Sequence, residues 1–180
     1  MKTMWVLSAV AVCGLLSGNL FGATINVPGD YPSIQEAVDA SNDGDEIVVG
    51  PGTYTSTQDG HVVDMKGKAV TLRSSDGAEA TIIDGENARR GIAMFNYETA
   101  KTVIKGFTIT NGTGVDYDYN GNGNSDFWED GGGGFLLKNA DPTINQCIIE
   151  GNNGRGMFCY FRCDFYMTGS QIINNTNGGI

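Results

Sequence analysis

Short apolar segments recur along the second half of the chain at a nearly constant spacing. The segment 135–137 (Phe-Leu-Leu) returns as 157–159 (Met-Phe-Cys), 22 positions later, and the following return is Ile180. A repeat of about 23 residues is typical of a solenoid, in which each turn can bury its apolar face only against the neighbouring turns. The pattern therefore predicts a stack of similar turns.

A second apolar segment repeats in step with the first. Residues 147–152 return as 171–176, 24 positions later, which predicts that Ile148 lies directly above Ile172 in the adjacent turn. The repeat is too short for two helices and is rich in β-branched residues, Gly and Asn, which favour strands and sharp corners. These properties predict an all-β fold, a parallel β-helix of short strands joined by tight turns.

The same pattern predicts further strands earlier in the chain. They are expected at residues 23–27, 46–49, 62–65, 69–73, 81–84, 92–95 and 103–110. After residue 131 the three strands of one turn are expected at residues 135–138, 143–145 and 147–150. Most of these segments end close to Gly, Asn, Asp or Ser, which are frequent in turns.

One helix is predicted near the N-terminus. Ser33 and Glu36 have the spacing of a capping box, and Ile34 and Val38 belong to an apolar face at helical spacing. We expect the helix to begin at Ser33 and to end near Ser41. Its expected role is to lie over the open first turn and to shield an exposed strand edge.

Residues 1–22 are predicted to be a secretory signal peptide. A positive charge precedes the apolar run 5–16, and cleavage is expected after Gly22 or, alternatively, after Ala23. This run of twelve residues is shorter than the about 20 that span a bilayer, so no transmembrane segment is expected. The mature domain, residues 23–180, is expected to be secreted or displayed at the cell surface.

The chain is strongly acidic, with 21 Asp and Glu against 11 Lys and Arg and a formal net charge of −10. Loss of the signal peptide removes Lys2 and no acid, which leaves −11 on the mature domain. Such a surface repels nucleic acid and anionic membranes, so no nucleic-acid partner is expected. It also repels acidic polysaccharides unless a divalent cation bridges the two.

Three cysteines, Cys147, Cys159 and Cys163, lie outside the signal peptide. Export permits disulfides, but Cys159 and Cys163 would be roughly 13 Å apart in one extended strand, too far for a bond. A disulfide between them would need an intervening turn. We expect stacked, buried free thiols instead.

An acidic, glycine-rich insertion interrupts the repeat at about residues 113–131. The step from Phe107 to Cys147 is 40 residues, one turn plus about 17 extra residues. From Asp118 onward the insertion fits a twelve-residue calcium-binding loop, with Gly123 at the sixth position, where the chain turns sharply. The expected Ca²⁺ ligands are Asp118, Asn120, Asn122, Asn124, Asp126 and Glu129.

Two features of the insertion depart from the calcium pattern. Ser125 stands at the eighth position, where an aliphatic residue is usual, and no helices flank the loop. The alternative is a flexible, solvated loop of turn-forming residues.

Two groups of aromatic side chains lie in and after the insertion. The group in the insertion is expected to pack against the coil, and the alternative is that it binds a sugar or a partner protein. The group after the insertion is expected to pack in the core or wall of a turn. The two groups are Tyr117, Tyr119, Phe127 and Trp128 in the insertion, and Tyr160, Phe161, Phe165 and Tyr166 after it.

Five segments carry a pattern found in a known superfamily. The opening residues 25–38, with 44–49 and 50–54, resemble the N-terminal pattern of the right-handed parallel β-helix, or pectin lyase-like, superfamily. Residues 132–135 and 142–149 resemble repeats of bacterial surface proteins, such as polymorphic outer-membrane proteins and autotransporter passengers. The resemblance implies a right-handed coil. It implies little about activity, because this fold hosts lyases, hydrolases, esterases and adhesins.

The catalytic motifs of the enzyme branches have no match in this stretch, so catalytic residues stay unassigned. Pectin methylesterases share the opening helix and the corner at 51–54, but not their segments with two aspartates and an arginine. Polygalacturonases use Asp-Asp and Gly-His-Gly segments, and the single histidine, His61, lies in neither. Lyases of the fold use an arginine base, whereas Arg89 and Arg90 are interpreted as solvated turn residues beside acids.

The sequence favours an exported or cell-surface β-helix protein that binds a polysaccharide or a partner protein and is not catalytic in this segment. The alternative is the N-terminal part of a carbohydrate-active enzyme: a polysaccharide lyase, a glycoside hydrolase or a pectin esterase-like protein. Residues 178–180 match the start of another turn, so we expect the coil to be incomplete at the C-terminus. Catalytic motifs that are missing from this stretch could then lie beyond residue 180, so their absence weakens the enzyme interpretation without removing it.

Overall fold

The structure is a computed structural model that describes residues 22–114, 118, 123 and 131–180. Within these residues it contains one helix, α1 (Ile34–Ala40), and fifteen short strands. The strands are β1 (Thr24–Val27), β2 (Glu46–Val49), β3 (Gly52–Tyr54), β4 (His61–Asp64), β5 (Thr71–Ser74), β6 (Thr81–Asp84), β7 (Arg90–Met94), β8 (Val103–Lys105), β9 (Thr108–Thr110), β10 (Phe135–Lys138), β11 (Thr143–Asn145), β12 (Ile148–Glu150), β13 (Met157–Tyr160), β14 (Tyr166–Thr168) and β15 (Gln171–Ile173).

The strands form three parallel sheets that wind around one axis. Sheet A has the order β1-β2-β5-β8-β11-β14, sheet B the order β3-β6-β9-β12-β15, and sheet C the order β4-β7-β10-β13. From β2 onward, successive strands fall in sheets A, B and C in turn, so three strands complete one turn. The coil has about five turns. The predicted all-β parallel β-helix is therefore confirmed.

The interior is filled by columns of apolar side chains, one from each turn. In sheet A the column runs through Ile47, Leu72, Ile104, Ile144 and Met167, and each residue pairs with the next. The first four are fully buried. Burial of one such side chain contributes about 1.5–3 kcal/mol. Each turn therefore stabilises its neighbours, as a solenoid requires.

The predicted stacking of Ile148 on Ile172 is wrong by one residue. Ile149 pairs with Ile172, and Ile148 pairs with Gln171, so the step between these strands is 23 residues. Ile149 is fully buried, whereas Ile173, which a 24-residue step would place beside it, is 40% exposed. Because side chains alternate between the two faces of a strand, a slip of one residue would exchange core and surface positions.

The spacing of the turns varies more than the sequence repeat suggests. The step is 25 residues from Glu46 to Thr71, 32 from Thr71 to Val103, 40 from Val103 to Thr143 and 23 from Thr143 to Tyr166. The 40-residue step contains the insertion, which lies between β9 and β10 in the sequence. Its predicted excess of about 17 residues over a single turn is confirmed.

The helix lies where the sequence predicts it. Ser33 is its N-cap residue and accepts a hydrogen bond from the N–H of Glu36 at 3.2 Å, and Ser41 is its C-cap residue. The helix packs against β1, β2 and β4. The side chain of Gln35 accepts from the N–H of Asp64 at 2.7 Å and donates to its carbonyl oxygen at 3.1 Å. These bonds satisfy backbone groups at the edge of sheet C, the shielding that was expected.

Two strand predictions differ from the structure in detail. The expected strand at 103–110 is two strands, β8 and β9, because Gly106 has a φ of 74° and turns the chain from sheet A into sheet B. The strand β3 has no counterpart among the expected strands, because Gly and Pro at 50–52 indicate a turn. The other expected strands begin and end within two residues of the observed ones.

Candidate functional site

An open cleft lies at the corner where sheet C leads into sheet A. Its volume is about 350 Å³, and it is lined by Tyr97, Asn139, Asp141, Phe161 and Arg162. The residues come from three consecutive turns, because Tyr97 follows β7, Asn139 and Asp141 follow β10, and Phe161 and Arg162 follow β13. The stacking of the coil thus brings residues that are distant in sequence onto one surface.

Hydrogen bonds between the turns fix the backbone of this corner cleft. The N–H of Asn139 donates to the carbonyl oxygen of Phe161 at 2.9 Å, and the N–H of Asp141 donates to that of Glu98 at 2.8 Å. The carboxylate of Asp141 also accepts from the N–H of Asp164 at 2.7 Å. The backbone of the cleft and the carboxylate of Asp141 are therefore held by bonds between the turns of the coil.

Two aromatic side chains of the cleft project into solvent. Tyr97 is 75% exposed and Phe161 is 66% exposed. They lie two turns apart, which corresponds to about 10 Å along the coil at the usual strand spacing. Their φ angles are 62° and 59°, a left-handed conformation that is rare for bulky residues. Lys66 and Asn139, which follow β4 and β10, have φ angles of 52° and 51°, so this conformation belongs to the corner of the coil and not to the aromatic residues alone.

The prediction that Phe161 and Tyr166 pack in the core or wall of a turn is wrong. Tyr166 is 63% exposed, as the outward-facing first residue of β14. Phe161 faces outward because it occupies the left-handed corner position directly after β13. Phe165, in contrast, packs against the core.

Arg90 is not the solvated turn residue that the sequence indicated, because it is the first residue of β7 and is fully buried. Its Nε donates to the carbonyl oxygens of Gly131 at 2.8 Å and Gly132 at 3.0 Å. These carbonyls belong to the segment that brings the insertion back to the coil. Arg90 therefore anchors that segment. Arg89 does lie in a turn, with a 2.7 Å salt bridge to Glu86.

His61 pairs with Arg90 in the neighbouring strand of sheet C. Burial lowers the pKa of His61 from 6.5 to about 4, and the cations Arg90 and Lys66 add to the effect. The imidazole is therefore neutral at pH 7 and adds no second charge beside the buried guanidinium.

Two buried carboxylates, Asp64 and Glu98, serve the backbone. Glu98 accepts from the N–H of Gly67 at 2.8 Å and of Asn96 at 2.9 Å, and Asp64 accepts from the N–H of Lys66 at 2.8 Å. Burial raises the pKa of Asp64 to about 6, to which repulsion from Glu98 contributes, and burial also raises the pKa of Glu98. These bonds indicate that both carboxylates stabilise the backbone at corners of the coil.

The three cysteines within the described residues, Cys147, Cys159 and Cys163, are free thiols, as the sequence predicts. Cys147 is fully buried, and this burial raises the pKa of its thiol to about 11. Cys159 and Cys163 are only partly buried, so the prediction of burial is wrong for these two.

Most of the predicted calcium site lies outside the described residues. Asp118 is described, and its Oδ2 accepts a hydrogen bond from the N–H of Gly123 at 2.6 Å. Within the described residues, no group of three or more His, Cys, Asp or Glu side chains is arranged to hold a metal ion. The site therefore stays a prediction. The expected ligands outside the described residues are Asn120, Asn122, Asn124, Asp126 and Glu129, and the insertion aromatics outside them are Tyr117, Tyr119, Phe127 and Trp128.

In the part of the chain that the structure describes, no helix is long and apolar enough to cross a membrane.

One of three comparisons with known proteins finds a match, and it agrees with the observed coil. The search of curated proteins and of solved structures finds no match. A family model described as a right-handed β-helix region matches residues 46–180, three quarters of the chain. Together with the three parallel sheets, this match shows that the chain belongs to the right-handed β-helix family.

Proposed function

We propose that this β-helix belongs to an exported or cell-surface protein and binds a neutral polysaccharide in the corner cleft. The observation that carries the proposal is the pair of exposed aromatic side chains, Tyr97 and Phe161, which flank polar groups in one open cleft. Sugar rings present C–H groups on their faces and hydroxyl groups at their edges. Aromatic faces beside hydrogen-bonding groups are complementary to both.

The polar residues of the cleft supply both donors and acceptors. Asn139 offers an amide, Asp141 a carboxylate and Arg162 a guanidinium. One negative and one positive side chain leave the cleft close to neutral, although the whole chain carries a net charge of −10. This balance favours an uncharged sugar chain, since the acidic surface around the cleft repels an acidic one.

We propose binding without catalysis in this segment. Glycoside hydrolysis uses two carboxyl groups, about 5–10 Å apart, on either side of the scissile bond. Among the five residues that line the cleft, Asp141 is the carboxylate. The neighbouring Glu98 is 1% exposed, and its carboxylate accepts two backbone N–H groups instead of facing the cleft.

Export is supported by the charge and apolar run of residues 1–22, and calcium binding by the pattern of the insertion. We propose that Ca²⁺ orders the insertion, which leaves the coil between sheets B and C, whereas the cleft lies between sheets C and A. The strands that flank the insertion and the residues that line the cleft meet at different corners, so loss of calcium binding and loss of polysaccharide binding can be measured separately.

Affinity electrophoresis tests the proposed binding. The protein is run in native gels that contain a neutral polysaccharide (β-glucan, xylan or galactomannan) or an acidic one (polygalacturonate or alginate). We expect retardation by at least one neutral polysaccharide and none by the acidic ones. No retardation in any gel, or retardation by the acidic polymers alone, would contradict the proposal.

Variants locate the binding surface in the same gels. Tyr97→Ala and Phe161→Ala should each weaken the retardation about two- to tenfold, because an aromatic contact contributes about 0.5–1.5 kcal/mol. Ile173→Ala is the matched control, since Ile173 is an exposed apolar residue of sheet B, away from the cleft. Equal retardation of all three variants would place the binding site elsewhere.

A further inference from the structure

The turn after β13 brings two cysteines together. Cys159 lies in β13, and the following residues Phe161 and Arg162 have φ angles of 59° and 54°. Two successive left-handed residues turn the chain back on itself, so Cys163 returns toward the strand that it has just left. The separation of roughly 13 Å in an extended chain therefore does not apply.

The contacts of the Cys163 thiol place it beside Cys159. Its Sγ donates to the carbonyl oxygen of Leu137 at 3.5 Å and of Tyr160 at 3.7 Å. Leu137 is the residue that pairs with Cys159 in the neighbouring strand, and Tyr160 follows Cys159 in the chain. Cys163 also contributes to the raised pKa of Cys159, as a neighbouring thiol would. Both are partly exposed, so a small reagent can reach them, whereas Cys147 is fully buried.

We propose that Cys159 and Cys163 form a disulfide by exchange with a small-molecule disulfide. The Cys163 thiolate attacks one sulfur of the reagent, which forms a mixed disulfide and releases one thiol. The Cys159 thiolate then attacks the Cys163 sulfur, which forms the intramolecular bond and releases the second thiol. Two protein S–H groups become one S–S bond, and the reagent is reduced to two thiols.

The two thiols differ in their place in the fold. Cys163 lies outside the strand, on the returning arm of the turn, whereas Cys159 is held within β13. Burial, together with the neighbouring Cys163, raises the pKa of the Cys159 thiol to about 12.

The disulfide closes a loop whose tip is formed by Phe161 and Arg162, two residues of the corner cleft. Oxidation therefore holds one wall of the cleft in its left-handed conformation. This consequence rests on the proposed binding of carbohydrate, whereas the disulfide itself does not.

Peptide mapping tests the bond directly. The full chain is equilibrated with excess oxidised glutathione, remaining thiols are alkylated, and the protein is digested with trypsin. Cleavage after Lys138, Arg155 and Arg162 places each cysteine in its own peptide: 139–155, 156–162 and 163–180. We expect 156–162 and 163–180 to be linked before reduction and separate after it, with Cys147 alkylated in 139–155.

Two variants complete the test. Cys147→Ser should leave the linked peptides unchanged, and Cys163→Ser should leave Cys159 alkylated or carrying glutathione. Recovery of 156–162 and 163–180 as separate peptides at saturating oxidant, or linkage of either one to 139–155, would overturn the proposal. Circular dichroism of each variant verifies the fold. The experiment contains no polysaccharide, so its failure and that of the proposed function are distinguishable.

Discussion

The side-chain amide of Asn152 donates to Oδ1 of Asn175 at 2.8 Å, one turn further along the coil. Asn175 in turn donates to the carbonyl oxygen of Ile149 at 3.0 Å. Asn152 also accepts from the N–H of Gly112 at 2.8 Å and donates to the carbonyl oxygen of Ile109 at 3.2 Å. A single buried amide therefore joins three turns at the corner that leads from sheet B to sheet C.

Replacement of this amide should weaken the coil. Asn152 is 1% exposed, and Asn152→Ala leaves the N–H of Gly112 and nearby carbonyl groups without their partner. We expect a loss of about 2–4 kcal/mol in the free energy of unfolding, measured with urea. Asn153→Ala is the control: Asn153 is exposed and pairs with Gly112 through its backbone, so a change below about 0.5 kcal/mol is expected. Equal losses would refute the role of the amide.

His61 should make the protein less stable in mild acid. The unfolded chain binds a proton at His61 near pH 6.5, whereas the folded chain binds it only near pH 4. Between these values the unfolded state holds more protons, so this contribution to stability falls as the pH falls. We expect His61→Gln to lose less stability than the wild type between pH 6.5 and pH 4.5 in urea unfolding.

Asp64 should act in the opposite direction. The pKa of the Asp64 carboxyl group is about 6 in the folded chain and near the ordinary value of 3.8 in the unfolded chain. Between pH 3.8 and pH 6 the folded state therefore holds more protons. This contribution to stability rises as the pH falls through that window. Asp64→Asn should therefore lose more stability than the wild type on acidification. Parallel pH profiles of the wild type, His61→Gln and Asp64→Asn would show that neither group titrates as described.

Removal of the buried guanidinium should affect both stability and the neighbouring histidine. Arg90→Met leaves two carbonyl groups of the returning segment without their donor, and a loss of about 2–4 kcal/mol is expected. The pKa of His61 should rise, because one cation is gone, but stay below 6.5 because burial persists. NMR titration of the imidazole measures this shift. Arg89→Met, which breaks a partly exposed ion pair, should cost less than about 1 kcal/mol and leave the titration unchanged.

The calcium prediction can be tested by calorimetry after treatment with a chelator. We expect Ca²⁺ to bind the wild type and to bind Asp118→Asn and Glu129→Gln at least tenfold more weakly, because each variant removes one negative ligand from the loop. Glu79→Gln changes an exposed acid elsewhere and should bind as the wild type does. Absence of heat in the wild type would leave the insertion as a solvated loop.

The sequence was sufficient for the fold because local signals and the apolar pattern agree. The capping box at Ser33 fixes the start of the helix, and β2 and β6 begin and end at the expected residues. The repeat failed where two apolar residues are adjacent, since the doublets at 148–149 and 172–173 allow two alignments. The pairing of Asn152 with Asn175 selects the 23-residue step.

The candidate site could not be predicted because it depends on the lengths of whole turns. Ile92 and Phe135 are neighbours across a step of 43 residues, whereas Phe135 and Met157 are neighbours across 22. Without both steps, nothing indicates that Tyr97 and Phe161 share one corner. Burial of a charged residue such as Arg90 is equally hidden, because its carbonyl partners lie more than 40 residues away in sequence.

NMR tests most directly whether the corner cleft binds a polysaccharide, as proposed. A short oligosaccharide of the neutral polymer that retards the wild type is titrated into isotopically labelled protein. We expect saturable shifts of the ring signals of Tyr97 and Phe161 and of the side-chain amide of Asn139, with Asn175 unchanged. Saturable shifts elsewhere, while the signals of the cleft stay constant, would contradict the claim.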